Sequence, residues 1–260
     1  SVAIGYQSSP YLPSYTTAVG FRAGYVATAV YGTYLGYETM RNNTASFNVG
    51  VGYRAGYKNV GGTNNTFIGK EAGLDNINGS KKTCIGEIAG STSNGDNVTF
   101  IGYNSQPSSA AADNEITLGD SNVATLRCAV TTITSLSDER DKSEIKDLEY
   151  GLDFIDSLQP REFVWDNRAE IKKQDVLDEN GEPLLDDDEN IVTKDVEFYS
   201  ANKGKKDFGF IAQEVKELDN DTLRLVYSEN EDKLEMSYGK LVPILVKAIQ
   251  ELKTEVDSLK

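Results

Sequence analysis

One glycine recurs through the first half of this chain at an almost constant interval, and that interval restricts the fold more than any other feature. Eight units align on it: AIGYQS (3–8), AVGFRAG (18–24), YLGYETM (34–40), GVGYRAG (50–56), FIGKEAG (67–73), CIGEIAG (84–90), FIGYNSQ (100–106) and TLGDSNV (117–123). The anchors Gly5, Gly20, Gly36, Gly52, Gly69, Gly86, Gly102 and Gly119 lie 15, 16, 16, 17, 17, 16 and 17 residues apart. A period this regular specifies a stacked array in which each coil buries its apolar positions against the next. Helical repeats need about 30 residues or more, so this unit is read as two short strands and two turns. The Ile, Val or Leu before each anchor is expected to point inward. The glycine permits a backbone conformation or a close approach that a side chain forbids. Asn65-Thr66-Phe67 and Asn94-Gly95-Asp96-Asn97 supply turn chemistry.

The position after the anchor reads Tyr6, Phe21, Tyr37, Tyr53, Lys70, Glu87, Tyr103 and Asp120. Its aromatics fit a sugar-binding ladder or, more simply, packing against a neighbouring coil or chain. Tyr11, Tyr15, Tyr25, Tyr31 and Tyr34 fall between anchors and are read as exposed turn residues, the better candidates for receptor contact.

Composition divides the chain at the same place as the repeat. Residues 1–136 hold 8 Lys+Arg and 8 Asp+Glu, whereas 137–260 hold 18 and 33, so the net charge of −15 belongs to the second half. An acidic surface repels phosphates, which argues against nucleic acid as a partner. No apolar run is long enough to cross a bilayer, and residues 1–20 lack the charged start and apolar core of a signal peptide. The chain opens directly on a repeat, so preceding sequence is expected. Cys84 and Cys128 are the only cysteines, have no metal-ligand spacing and occupy apolar positions, which predicts buried thiols rather than a disulfide. There is no histidine. That excludes Ser–His and Cys–His catalysis and most zinc chemistry, and no metal or cofactor is expected.

From Ser137 onward the pattern is α+β. Leu148, Leu152 and Ile155 mark an amphipathic helix, REFVWD (161–166) alternates like a strand, and FGFIAQEVKEL (208–218) passes from extended chain into a helix. Asn180-Gly181 reads as a hairpin turn. The acids Asp186 to Glu189 lack the spaced pattern of a calcium loop and are read as its solvated face. Near the end, Val242, Leu245, Ile249, Leu252, Val256 and Leu259 are spaced 3, 4, 3, 4 and 3 apart, a coiled-coil seam over about 240–260. Core packing of a terminal helix is the alternative. At the junction, SLSDERDKSEIKDL (135–148) places Ser137 and Lys142 five residues apart. By itself the stretch reads as a helix start, with Ser137 as N-cap and Asp138 and Glu139 in the first turn.

SVAIGYQS resembles the head repeats of trimeric autotransporter adhesins, left-handed β-rolls associated as trimers, and NTFIGKEAG (65–73) resembles repeats of phage tail fibres. The longer, variable period departs from the adhesin pattern and leaves a one-chain roll and an interwoven three-chain prism both open. In the second half SDERDK (137–142), GLDFIDSLQPREFVWD (151–166), FGFIAQEV (208–215) and LVPILVKAIQEL (241–252), approached by TLGDSNVATLRC (117–128), resemble the C-terminal intramolecular chaperone of phage tailspikes and tail fibres, the endosialidase type. The resemblance implies a homotrimer in which this domain guides assembly and then cuts itself off. It implies Ser137 as nucleophile, Lys142 as base, a cut between Leu136 and Ser137, and Asp138 and Arg140 in the supporting loop. The enzyme would be a single-turnover serine endopeptidase acting on its own chain. The expected layout is solenoid repeats over 1–130, a junction at 131–136 and a chaperone over 137–260. The expected place is the tail fibre of a virion, contacting a host surface receptor or glycan, without membrane insertion. The alternatives are a bacterial surface adhesin with the same chaperone, or a glycan-degrading tailspike.

Overall fold

The computed structural model describes residues 1–260 except 12, 124, 130–132, 136, 167, 180–183, 185–191, 201 and 220–221, with the backbone alone at 170–175 and 198. Asn180-Gly181 and the acids 186–189 therefore lie outside the described residues. The chain forms two compact units, Ser1–Asp120 with Tyr227–Glu235, and Ser121–Val226 with Met236–Lys260.

The first unit is a β-solenoid. Its strands are β1 (Val2–Ile4), β2 (Thr17–Val19), β3 (Thr33–Leu35), β4 (Val49–Val51), β5 (Thr66–Ile68), β6 (Thr83–Ile85), β7 (Thr99–Ile101) and β8 (Ile116–Leu118). They form one parallel sheet in chain order. The register sets equivalent residues on one another, Val19 on Leu35, Leu35 on Val51 and Ile68 on Ile85. Pairing runs from coil to coil of one chain, so the repeats form a one-chain solenoid. Each coil holds one named strand, not two. The segment after the anchor still bonds to its neighbour, as where Arg22 N donates to Tyr6 O at 3.0 Å and Gly24 N to Thr39 O at 3.0 Å. It is not extended, because Arg22 and Gly24 have φ of 49° and 59°.

The anchor glycine serves both purposes foreseen for it. Gly36 has φ 137°, and a Cβ there would stand 2.4 Å from the Gly52 carbonyl oxygen. The expected direction of the neighbouring aliphatics is corrected. In a three-residue strand the side chains alternate, and the residue two before the anchor faces in. Ala18, Tyr34, Phe67, Cys84 and Phe100 are fully buried there. The residue immediately before the anchor faces out: Ile4, Leu35, Ile68, Ile85, Ile101 and Leu118 are 37 to 59 % exposed.

Asparagines line the interior beside this core. Asn59 Nδ2 donates to Asn43 Oδ1 at 2.6 Å, and Asn76 Nδ2 to Asn59 Oδ1 at 2.6 Å. Asn48 and Asn65 occupy a second buried row, and Lys82 succeeds them, its Nζ donating to Ser93 O and Oγ at 2.5 and 3.0 Å. Burial holds the Lys82 amine down at about 8.

The second unit is mixed. A 3-10 turn at Glu139–Asp141 precedes α1 (Leu152–Ser157), β9 (Arg161–Val164), β10 (Glu170–Asp175), β11 (Thr193–Phe198), β12 (Lys206–Gly209) and α2 (Ala212–Asp219). Then come β13 (Val226–Tyr227), β14 (Glu235–Met236), a 3-10 turn at Tyr238–Lys240 and α3 (Leu241–Ser258). β10 pairs antiparallel with β11, and β9 with β12. α1 packs on α3. The Glu251 carboxylate of α3 accepts from Leu152 N at 2.7 Å, capping α1 from outside its own segment. That bond is the main reason its carboxyl lies below the ordinary range. Asp219, nearly buried, closes α2 by accepting from Leu223 N and Leu225 N at 2.5 and 2.8 Å.

Candidate functional site

The site begins with a short local device. Asp138 has extended backbone (φ −70°, ψ 137°), and its Oδ1 accepts from Arg140 N at 2.9 Å, capping the turn Glu139–Asp141. The guanidinium of Arg140 returns to the same carboxylate, Nε to Oδ1 at 3.0 Å and Nη2 to Oδ2 at 2.7 Å. This two-pronged pair holds the Asp138 carboxyl low and the Arg140 guanidinium high. Asp141 N donates to Asp138 O and Lys142 N to Glu139 O, at 3.3 and 3.1 Å, which closes the turn. The cap is therefore Asp138, not Ser137, and Ser137 lies one residue outside the turn.

The turn carries Lys142 back over Ser137. Lys142 Nζ donates to Ser137 Oγ at 2.7 Å and to Ser137 O at 3.2 Å. Hydroxyl and amine are in hydrogen-bond reach, the first geometric requirement of a nucleophile–base pair. Both residues are exposed in the single chain. Leu136, on the other side of the expected cut, lies outside the described residues.

This serine is where the comparison with known families takes hold. Residues 137–183 match Peptidase S74, the chaperone of endosialidase. The chaperone-of-endosialidase match opens on Ser137 and takes in Lys142, α1, β9 and β10. Its name joins a peptidase to a chaperone. No curated protein and no solved structure matches the chain.

Two further surfaces bear on the expected sites. On α3 the residues Val242, Leu245, Ile249, Leu252 and Val256, with the C-cap Leu259, are 43 to 86 % exposed, whereas Leu241, Ile244 and Ala248 are buried. The helix thus packs within its unit by one face and presents the heptad seam on another. Along the solenoid, the outer face of the sheet carries two rows, Val2, Thr17, Thr33, Val49, Thr66, Thr83, Thr99 and Ile116, and the row from Ile4 to Leu118. Neither row contains a charge. The same period that revealed the repeat would have found them, had strand alternation been counted outward from the anchor.

The tyrosines divide. Tyr11, Tyr15 and Tyr31 are exposed, and Tyr25 is half-buried. Tyr34 is corrected: it lies in β3 inside the solenoid, fully buried, with its hydroxyl accepting from Asn43 Nδ2 at 2.7 Å, and cannot meet a receptor. The aromatics after the anchors stack on one another, Tyr6 on Phe21, Phe21 on Tyr37 and Tyr37 on Tyr53, at 5.6, 5.0 and 5.3 Å between ring centres. Cys84 is buried as expected, and burial pushes its thiol up to about 12; Cys128 is instead exposed, and both are free thiols. Among the described residues there is no group of three or more His, Cys, Asp or Glu able to hold a metal, and no helix long and apolar enough to cross a membrane.

Proposed function

We propose that this chain is a homotrimeric fibre segment whose second unit directs assembly and then severs the chain between Leu136 and Ser137. The observation that carries the reading is the 2.7 Å contact between Lys142 Nζ and Ser137 Oγ at the first residue of the chaperone-of-endosialidase match. A neutral lysine takes the proton from Ser137 Oγ, and the oxygen attacks the Leu136 carbonyl carbon. The C–N bond breaks, the proton passes to the Ser137 nitrogen, and the Leu136 acyl group rests as an ester on Ser137. Water hydrolyses the ester, leaving a carboxylate on Leu136 and a free amine and hydroxyl on Ser137.

A lysine ordinarily titrates near pH 10.4 and serves as a base only when desolvation favours its neutral form. In the single chain Ser137 and Lys142 face water, so the desolvation must come from further copies. Cleavage then reports completed assembly. The exposed α3 seam and the charge-free outer face of the sheet supply apolar surfaces for those copies. Parallel sheets are ordinarily covered on both faces. The segment belongs to the tail fibre of a virion and meets a host receptor through the solenoid.

The test is denaturing electrophoresis beside native sizing. Wild type is expected to give two bands, and Ser137→Ala and Lys142→Ala one full-length band each, all three remaining trimeric. Efficient cleavage by either variant would contradict the dyad.

A further inference from the structure

The second, third and fourth coils carry a face that the later coils abandon. Two residues after the anchor stand Arg22, Glu38 and Arg54, and five after it stand Tyr25, Arg41 and Tyr57. Glu38 is almost fully buried and is shared by three guanidiniums: Arg54 at 3.0 Å, Arg41 at 3.7 Å and Arg22 at 3.9 Å. Arg41 lies between Tyr25 and Tyr57, 5.8 and 5.6 Å from their ring centres, and Arg54 lies 5.0 Å from Tyr57. Arg22 sits over Phe21 at 4.9 Å and Arg54 over Tyr53 at 5.5 Å. Three cations thus surround one carboxylate, and all three reach solvent with 12 to 27 % of their side chains.

The surplus is regional. Residues 1–60 hold 4 Lys+Arg against 1 Asp+Glu, and residues 61–120 hold 3 against 7. The rows change with it. After Arg54 the arginine row continues as Glu71, Ile88 and Asn104, and after Tyr57 the tyrosine row continues as Leu74 and Ser91. A solenoid that needed only a ladder to hold its coils in register could continue the same residues throughout, or pair its charges one to one as Lys70 and Glu87 do at 3.7 Å. Here cations exceed anions and are held rigid between aromatic rings, the residue types in which binding energy concentrates.

We infer that this arginine–tyrosine face of the second to fourth coils binds an acidic polysaccharide through its carboxylates. The guanidiniums stand one to a coil on three successive coils, in two neighbouring rows, which suits a linear polymer whose charges also recur. Planar guanidiniums take carboxylates with two parallel bonds, and phenol hydroxyls beside them suit sugar hydroxyls. The inference rests only on the adhesive part of the proposed function and is independent of cleavage.

The probe is alginate, a polyuronate, with dextran as the neutral control, in affinity electrophoresis of the whole protein. Wild type is expected to be retarded by alginate and not by dextran, the retardation fading as salt is raised. Arg41→Gln is expected to weaken alginate binding about tenfold, the loss of a charge-assisted bond. Glu38→Gln, which removes the one anion, is expected to tighten it. A purely structural cluster would lose stability in both variants and bind alginate in neither, so the opposite signs separate the two. Equal retardation by dextran, no retardation by either polymer, or the same shift in both variants would overturn the inference. Denaturing gels and native sizing, run in parallel, report cleavage and assembly separately.

Discussion

The interior of the solenoid is governed by reciprocal volumes at two positions of adjacent coils. Four residues after an anchor stand Gly24, Gly56 and Gly90, where a Cβ would lie 2.4 to 2.7 Å from the ring of Tyr34, Phe67 and Phe100 in the next coil. One coil inverts the pair. Met40 replaces the glycine and Gly50 replaces the ring, and a Cβ on Gly50 would stand 2.7 Å from Met40 Cγ. Gly50→Phe is expected to destabilise by roughly 1–3 kcal/mol or more through overpacking, and Met40→Gly by about 2–5 kcal/mol through the void. The double variant restores the usual pair and removes the αL conformation of Met40, at φ 48°. It should unfold at higher denaturant than either single variant. Additive losses would contradict the reciprocal packing.

Lys82 gives a pH dependence with a definite sign. Burial depresses its pKa from 10.5 to about 8, so above pH 8 the unfolded chain holds a proton that the folded chain has released, and stability rises with pH. The charged form costs the folded state roughly 3 kcal/mol at neutral pH by the same shift. Above pH 9 the buried Cys84 keeps a proton that the unfolded chain loses, which turns the slope back. The thermal midpoint of the solenoid is therefore expected to climb between about pH 8 and 9 and then level off. In Lys82→Met the climb should vanish; if it persists, another group is responsible.

At the scale of elements, what the sequence disclosed depended on whether a spacing also carried a direction. The anchor spacing located every coil, and the 3-4 spacing located α3, because both patterns survive whatever the side chains touch. The direction of Ile4, Leu35 and their row was not legible, since a hydrophobic residue reads as buried until the face it belongs to is counted. Tyr34 was legible in hindsight, being in register with Phe67, Cys84 and Phe100. Lys82 was not, because its row is set by Asn48 and Asn65, whose burial depends on hydrogen bonds across coils rather than on hydropathy. The contact of Lys142 with Ser137 depends on the Asp138 cap, which the sequence assigned to Ser137. α3 yields the prediction at this scale. Ile249 and Leu252 lie on the exposed seam, away from the buried Leu241, Ile244 and Ala248. Ile249→Asp with Leu252→Asp should leave α3 docked on α1 but convert the proposed trimer to monomer in sedimentation. A trimer that persists would assign assembly elsewhere.

In the whole molecule, the proposed assembly must overcome charge. The second half holds 18 Lys+Arg and 33 Asp+Glu, so copies that gather through it repel one another, and apolar seams must supply the attraction. That balance suits a clasp that forms once and is then released by cutting the chain. In the proposed function the Ser137–Lys142 pair becomes competent only when copies bury it together. The measurement is the denatured mass of the monomeric Ile249→Asp, Leu252→Asp variant, incubated beside wild type. The variant is expected to remain a single species of 28.5 kDa while wild type divides at Ser137. A monomer that cuts itself at the wild-type rate would contradict it.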